Sequence, residues 1–201
     1  MPQLRHGAAA APSTEKGHLV YIVGPREGGQ RRLIGYARRK ALGRTRAIFP
    51  RRYISGPIDT DREEFHPLTT AAFEDWLRRG FFALSWMDDC CQYGIGREID
   101  EWMEAGLNVV ITASVEFLPD ARNKYPNLQV VLVSPGVDAL VDRLRRQIGL
   151  DEDAIREQAE EAALLETTFG TGPVVRTDQS WEAAGRALVN ILAGSPVRAV
   201  A

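Results

Sequence analysis

An α/β domain with a mainly parallel sheet is the fold class this chain predicts, and three observations predict it. The apolar run Leu19-Val-Tyr-Ile-Val23 has the length and composition of a buried strand and stops at Gly24-Pro25. A glycine loop follows, and beyond it Leu33, Ile34, Tyr36, Ala37 and Leu42 recur at helical spacing until Gly43. From there on, short apolar runs alternate with amphipathic ones, the pattern of strands separated by helices.

Each element can be justified in order. A strand is predicted over 47–55, then a polar, turn-rich stretch through Pro67. Thr69 can cap a helix over 69–79 that turns Phe73, Trp76 and Leu77 inward and ends at Gly80. A strand at 81–86 follows, then a helix over 95–105 with Ile99, Trp102 and Met103 on one face. The remaining elements are a strand at 107–111, a helix at 115–125, a strand at 128–133 and an arginine-bearing helix at 137–148. A helix over 151–166 opens with acids, which suit the positive end of its dipole. A short strand at 173–176 and a helix at 180–192 close the domain. In such sheets ligands bind beyond the carboxyl ends of the strands, where 24–32 and 85–96 would lie. Residues 1–17 read as a disordered arm and 18–195 as one domain, with a small lid at about 145–160.

With 201 residues, 44% hydrophobic and 26% charged, the chain can bury a sizeable core. The net charge of −2 hides an uneven distribution: residues 25–52 carry ten Lys/Arg and one acid, and 151–166 carry seven acids and one Arg. Both runs read as solvated helix faces. Nucleic-acid binding through the basic run is disfavoured, because no recognised motif accompanies the charges. No stretch approaches the ~20 apolar residues of a membrane span, and no signal-type apolar run is present. Cys90 and Cys91 are adjacent, read as free thiols and have no zinc-type spacing, so the expectation is a cytoplasmic protein without a metal site.

The loop Gly24-Pro-Arg-Glu-Gly-Gly-Gln-Arg-Arg32 has the strand–loop–helix setting and the Gly24/Gly29 spacing of the phosphate-binding P-loop, G-x-x-x-x-G-K-[ST]. Gly24, Gly28, Gly29, Gln30, Arg31 and Arg32 are therefore the candidate phosphate or nucleotide contacts. Gln30 stands where the lysine would reach the phosphates, and Arg31 and Arg32 where a hydroxyl would hold Mg²⁺. With Arg26, these arginines form either an anion site that binds without efficient transfer or a remodelled loop with solvated cations.

Further blocks carry a specific resemblance. They are Arg51-Arg-Tyr-Ile-Ser-Gly-Pro57, Glu64-Phe-His-Pro-Leu68, Phe82-Ala-Leu-Ser-Trp86, Tyr93-Gly-Ile-Gly-Arg-Glu-Ile-Asp-Glu-Trp102, Ala105-Gly106, Ser114 and Leu118-Pro-Asp-Ala-Arg122. In order and spacing, from about 19 to 192, the chain resembles the ribose 1,5-bisphosphate phosphokinases of phosphonate metabolism, relatives of guanylate kinase. The resemblance implies a P-loop nucleoside-monophosphate-kinase-like three-layer sandwich. It also implies transfer of phosphate from ATP, with Mg²⁺, to ribose 1,5-bisphosphate, giving 5-phosphoribosyl 1-diphosphate. It places Arg52, Glu64, His66 and Tyr93 on the sugar-phosphate side.

The departures from the family are concentrated where charge is handled. The family's Arg before the proline is Gly56 here, its Asn-Gly-Ser-Arg is Thr112-Ala-Ser-Val115, and its lid arginines fall near Gln147, Gly149, Gln158 and Glu161. Guanylate kinase itself would need arginines at Gly56 and Asp59 and a glutamate near Leu84. Asp59, Asp61 and Glu64 are acids that could approach Mg²⁺, but no spacing marks a metal site. The expectation is a kinase of this family with impaired catalysis. The alternative is a non-catalytic protein that holds a sugar phosphate or nucleotide, or regulates a protein partner.

Overall fold

The central sheet is wholly parallel, in the order β2 (Ala47–Ile48), β7 (Asn108–Thr112), β1 (Leu19–Val23), β8 (Gln129–Ser134) and β9 (Val174–Arg176). This computed structural model describes residues 15–194 except 42, 58–64, 89, 148 and 179. Leu42, Asp59, Asp61, Glu64 and most of the predicted N-terminal arm lie outside the described residues.

All five residues of β1 are buried, because the sheet is covered on both faces. Val20 and Ile22 face α1 (Gln30–Ala41) and α7 (Trp181–Leu192), through Leu33, Ala37, Ala184 and Leu188. Leu19, Tyr21 and Val23 face the other way, with Ile99 and Met103 of α3 (Glu98–Glu104), Leu118 and Ala121 of α4 (Leu118–Lys124), and Leu165 of α6 (Glu152–Phe169). Three layers result, as expected. Leu140 and Leu144 of α5 (Val137–Arg145) pack with Ile155 and Ala162 of α6 in a small separate cluster. The predicted lid, 145–160, is the connection between these helices and the first half of α6.

Two corrections concern the middle of the chain. The single strand predicted over 47–55 is two strands in two sheets. β2 pairs with β7 in the central sheet, whereas β3 (Arg52–Ser55) joins a second sheet of order β4-β3-β6-β5, with β4 (Phe65–Pro67), β6 (Cys91–Gly96) and β5 (Phe82–Asp88). Pro50, which has no N–H to give a ladder, stands at the break. The helix predicted from Ile95 begins at Glu98, because Cys91–Gly96 pairs antiparallel with both β3 and β5. Ile95 and Ile99 mimic helical spacing, but the Phe82 ring lies so close over Gly94 that a Cβ there would be 2.6 Å from it.

The cap at Thr69 was legible in the sequence, and the structure adds two more. Thr69 accepts from Ala72 N at the start of α2 (Thr70–Arg78), Asp151 from Ala154 N before α6, and Ser180 from Ala183 N before α7. On α2, Phe73 is buried and Trp76 half-buried as expected, but Leu77 is 45% exposed. No helix among the described residues is long and apolar enough to cross a membrane.

A candidate phosphate-binding cleft

Between the glycine loop, the carboxyl end of β7 and the small sheet lies a cleft of about 1070 Å³. Its charged lining is mixed: Arg26, Arg31, Arg32, Arg38, Arg52 and Arg143 against Glu27, Asp88, Glu116 and Glu161.

The loop is held both from within and from outside. Gly28 N donates to Pro25 O at 2.8 Å, Thr177 Oγ1 donates to Gly28 O at 2.8 Å, and Arg143 Nη1 donates to Glu27 O at 2.7 Å. Arg143 Nη2 also reaches Thr177 O at 3.4 Å, tying the loop to the β9–α7 connection. Gly29 takes a left-handed φ of +86° and lies under the Trp181 indole, which a Cβ would overlap. The same indole carries the Arg32 guanidinium 4.5 Å from its centroid. Stacking uses the flat face of that guanidinium and leaves its N–H donors at the edge. Gln30 turns its side chain back against Gly24: a Cβ there would lie 2.6 Å from Gln30 Nε2. The α1 first turn contains no acid, so Arg31 and Arg32, both exposed, sit at the positive end of the helix dipole. Each opposes that dipole by about 0.3–1 kcal/mol.

The facing wall comes from the small sheet and the β7 end. Arg52 leaves β3 on the cleft side, donates to Thr112 O at 3.4 Å, and lies over Phe65 (4.7 Å) and Tyr93 (5.9 Å). Tyr93 stacks on Trp86 at 5.4 Å, and Trp86 on Phe117 at 5.3 Å, giving an aromatic floor. Tyr21 donates to Ser114 O at 2.7 Å and so anchors 112–115, the segment where the family motif differs. Burial, and then Glu116, push its phenol pKa up, so the hydroxyl stays a donor.

The predicted sugar-side residues divide. Arg52 and Tyr93 line the cleft, whereas His66 does not. It belongs to the opposite face of the small sheet, stacked on Tyr53 at 5.1 Å, where Tyr53 also meets Trp76, Phe81 and Phe82. The period-2 alternation of a strand causes this: Arg52 pairs with Phe65 and Tyr53 with His66, so neighbours in sequence face opposite ways. Glu64 lies outside the described residues. Gly56 has φ +140°, and a Cβ there would come within 2.8 Å of Cys91 Sγ, so this backbone has no room for the family's arginine.

Sequence reasoning alone did not single out Arg38, Asp88, Glu116, Arg143 and Trp181 as cleft residues. The β-end position of 112–115 was the signal available for Glu116; Arg143 and Trp181 reach the loop from more than a hundred residues away. At the expected lid positions, Gln147 Nε2 donates to Glu27 Oε2 at 3.4 Å, Gln158 Oε1 is buried without a hydrogen-bond partner among the described residues, and Glu161 lines the cleft.

Burial first, then Glu116, raise the Glu161 carboxyl pKa; Arg26 counters and Glu157 adds to the rise. A raised folded pKa favours the protonated form. The associated stability is therefore complete below the ordinary value of 4.5 and is lost as pH rises through the raised one. Glu161→Gln is accordingly expected to raise the melting temperature slightly at neutral pH and to leave it unchanged in acid below the ordinary carboxylate value. Thermal melts at both pH values check this.

Comparison with known proteins follows the same lines. No protein-family model matches the chain. The chain is 36% identical over 177 residues to "Ribose 1,5-bisphosphate phosphokinase PhnN" of Thiobacillus denitrificans, covering 88% of this chain and 93% of that one. It is 31% identical over 184 residues to the protein of the same name from Psychromonas ingrahamii, covering 91% and 93%. A guanylate kinase from Anaplasma phagocytophilum superposes with a TM-score of 0.59 at 13% identity, over 89% of this chain and 86% of that one, which shows a shared guanylate-kinase-like fold. With this fold, and with relatives of this identity and coverage, the chain belongs to the ribose 1,5-bisphosphate phosphokinase (PhnN) family.

Proposed function

We propose that this protein binds ribose 1,5-bisphosphate and a nucleotide phosphate donor in the cleft between the glycine loop and the small sheet, and that it transfers phosphate slowly. The observation that carries this reading is the placing of Arg52. It stands opposite the loop, braced by Phe65 and Tyr93 and hydrogen-bonded to the Thr112 carbonyl, so a fixed guanidinium faces the arginine-rich loop across one cleft. A planar donor fork held in this way suits a sugar phosphate, which it can grip through two parallel hydrogen bonds. The aromatic floor of Trp86 and Tyr93 gives the sugar ring an apolar surface.

Slow transfer follows from the loop. The Gln30 amide is neutral and lies back against Gly24, so it cannot offset charge developing on a transferring phosphoryl group. ATP as the donor is carried over from the family's activity. The loop's setting between β1 and α1, and its arginines, are compatible with a polyphosphate.

Calorimetric titration with ribose 1,5-bisphosphate tests the binding half. Wild-type protein should bind, and Arg52→Ala should weaken the affinity roughly 10- to 100-fold, the value of one charge-assisted hydrogen bond. Unchanged affinity in that variant would remove Arg52 from the site, and the reading with it.

A further inference from the structure

Members of this kinase class use Mg²⁺ to neutralise the phosphates, with a loop hydroxyl among its ligands. The described residues at the start of α1 do not fit that ion. Arg31 occupies the hydroxyl position and Arg32 follows it, at the exposed start of α1. A guanidinium has five donors, no acceptor and a permanent positive charge, so it repels a divalent cation and cannot ligate it. Elsewhere among the described residues, no group of three or more His, Cys, Asp or Glu is placed to hold a metal ion. Of the acids on the cleft wall, Glu161 already has Arg26 as a neighbouring cation, which lowers the pKa that burial and Glu116 raise.

The charge balance then changes meaning. A lysine and one Mg²⁺ would bring three positive charges to the phosphates. Arg31 and Arg32 bring two from the exposed start of α1, and Arg26, Arg38 and Arg52 line the same cleft alongside Glu27, Asp88, Glu116 and Glu161. The loop is therefore not a site stripped of its counter-charge. Its counter-charge has moved from a diffusible ion onto the chain.

We propose that the cleft takes its polyphosphate ligand as the metal-free anion, held by arginine forks, and that divalent cations weaken this binding. The proposal rests on the reading that the cleft holds phosphorylated ligands, and it adds which ionic form is recognised. Bidentate guanidinium contacts need the phosphate oxygens that Mg²⁺ would occupy, so ion and arginines compete for the same atoms.

The test is calorimetric titration with ATP in EDTA and in excess MgCl₂ at matched ionic strength, since unmatched salt would screen the arginines in one arm only. The dissociation constant in EDTA is expected to lie several-fold below that in MgCl₂. The double variant Arg31→Ser, Arg32→Ser should lose this preference, with affinity in EDTA falling more than affinity in MgCl₂. Both side chains are exposed, so the change leaves the core intact. Tighter binding in MgCl₂ than in EDTA would overturn the proposal. So would equal binding in both, or no ATP binding in either. Ribose 1,5-bisphosphate titrated in parallel separates the two readings. If it binds while ATP requires Mg²⁺, the metal-free proposal fails and the functional reading stands. If it does not bind, the functional reading fails.

Discussion

ATP-dependent phosphorylation of ribose 1,5-bisphosphate should run at least about 10²-fold below the ~1–100 s⁻¹ of ordinary kinases. Phosphoryl transfer leaves a protein little covalent chemistry to do, so positioning and charge stabilisation carry most of the rate. One preorganised donor is worth roughly 10²–10³ in rate, and the lysine of this loop is such a donor. Its replacement, Gln30, lies against Gly24 and carries no charge. The lid positions bring no compensation: Gln147 bonds Glu27, Gln158 is neutral, and Glu161 adds a carboxyl to the cleft.

Gln30→Lys alone should therefore recover little activity. The arginines at 31 and 32 remain, and the effects of residues that act as a unit do not add. Product formation followed by phosphorus NMR, with wild type and variant in parallel, checks both statements. Wild-type turnover in the ordinary range would mean that the arginines replace the lysine in catalysis as well as in charge. A large gain from Gln30→Lys would mean that one residue was the whole defect.

A large stability effect is expected at Gly24. Its φ is ordinary, so the argument is space rather than backbone strain. A Cβ at this position would overlap the carbonyl oxygen of Val133, in the neighbouring strand β8, and approach Gln30 Nε2 at 2.6 Å. The Gln30 amide can swing away, but the Val133 carbonyl belongs to the sheet that pairs β1 with β8. Relief must come from parting the strand ends or opening the loop.

Gly24→Ala should therefore cost about 3 kcal/mol, the upper end of ordinary overpacking, and lower the melting temperature by roughly 6–12 °C. Gly35→Ala is the internal control. It lies inside α1, where a Cβ would meet only Arg39 Nη1 at an ordinary 3.6 Å, and alanine there should stabilise by about 0.5–1 kcal/mol. Equal behaviour of the two variants in thermal melts would show that the loop is looser than this packing implies.

What the sequence determined by itself was local. The strand 19–23, the glycine loop and the helix after it follow from one apolar run, one spacing and one stop signal within 25 residues. Thr69 announces its helix because a cap bonds only three residues ahead. The glycine loop was legible as a candidate site for the same reason. The family blocks added the expectation that Arg52 and Tyr93 face the ligand.

Tertiary structure decided whatever depends on which face of a strand is covered and by what. Residues 47–55 look like one strand until Pro50 sends their halves to different sheets. His66 and Arg52 carry equal claims in sequence, yet strand alternation gives one to an aromatic cluster and the other to the cleft. The clamp of Arg143 and Thr177 on the loop carbonyls joins residues 116 and 149 positions apart. No local pattern encodes that distance: such a bond forms only because the sheet order places β8 next to β1 and β9 next to β8, bringing α5 and the β9–α7 connection over the loop.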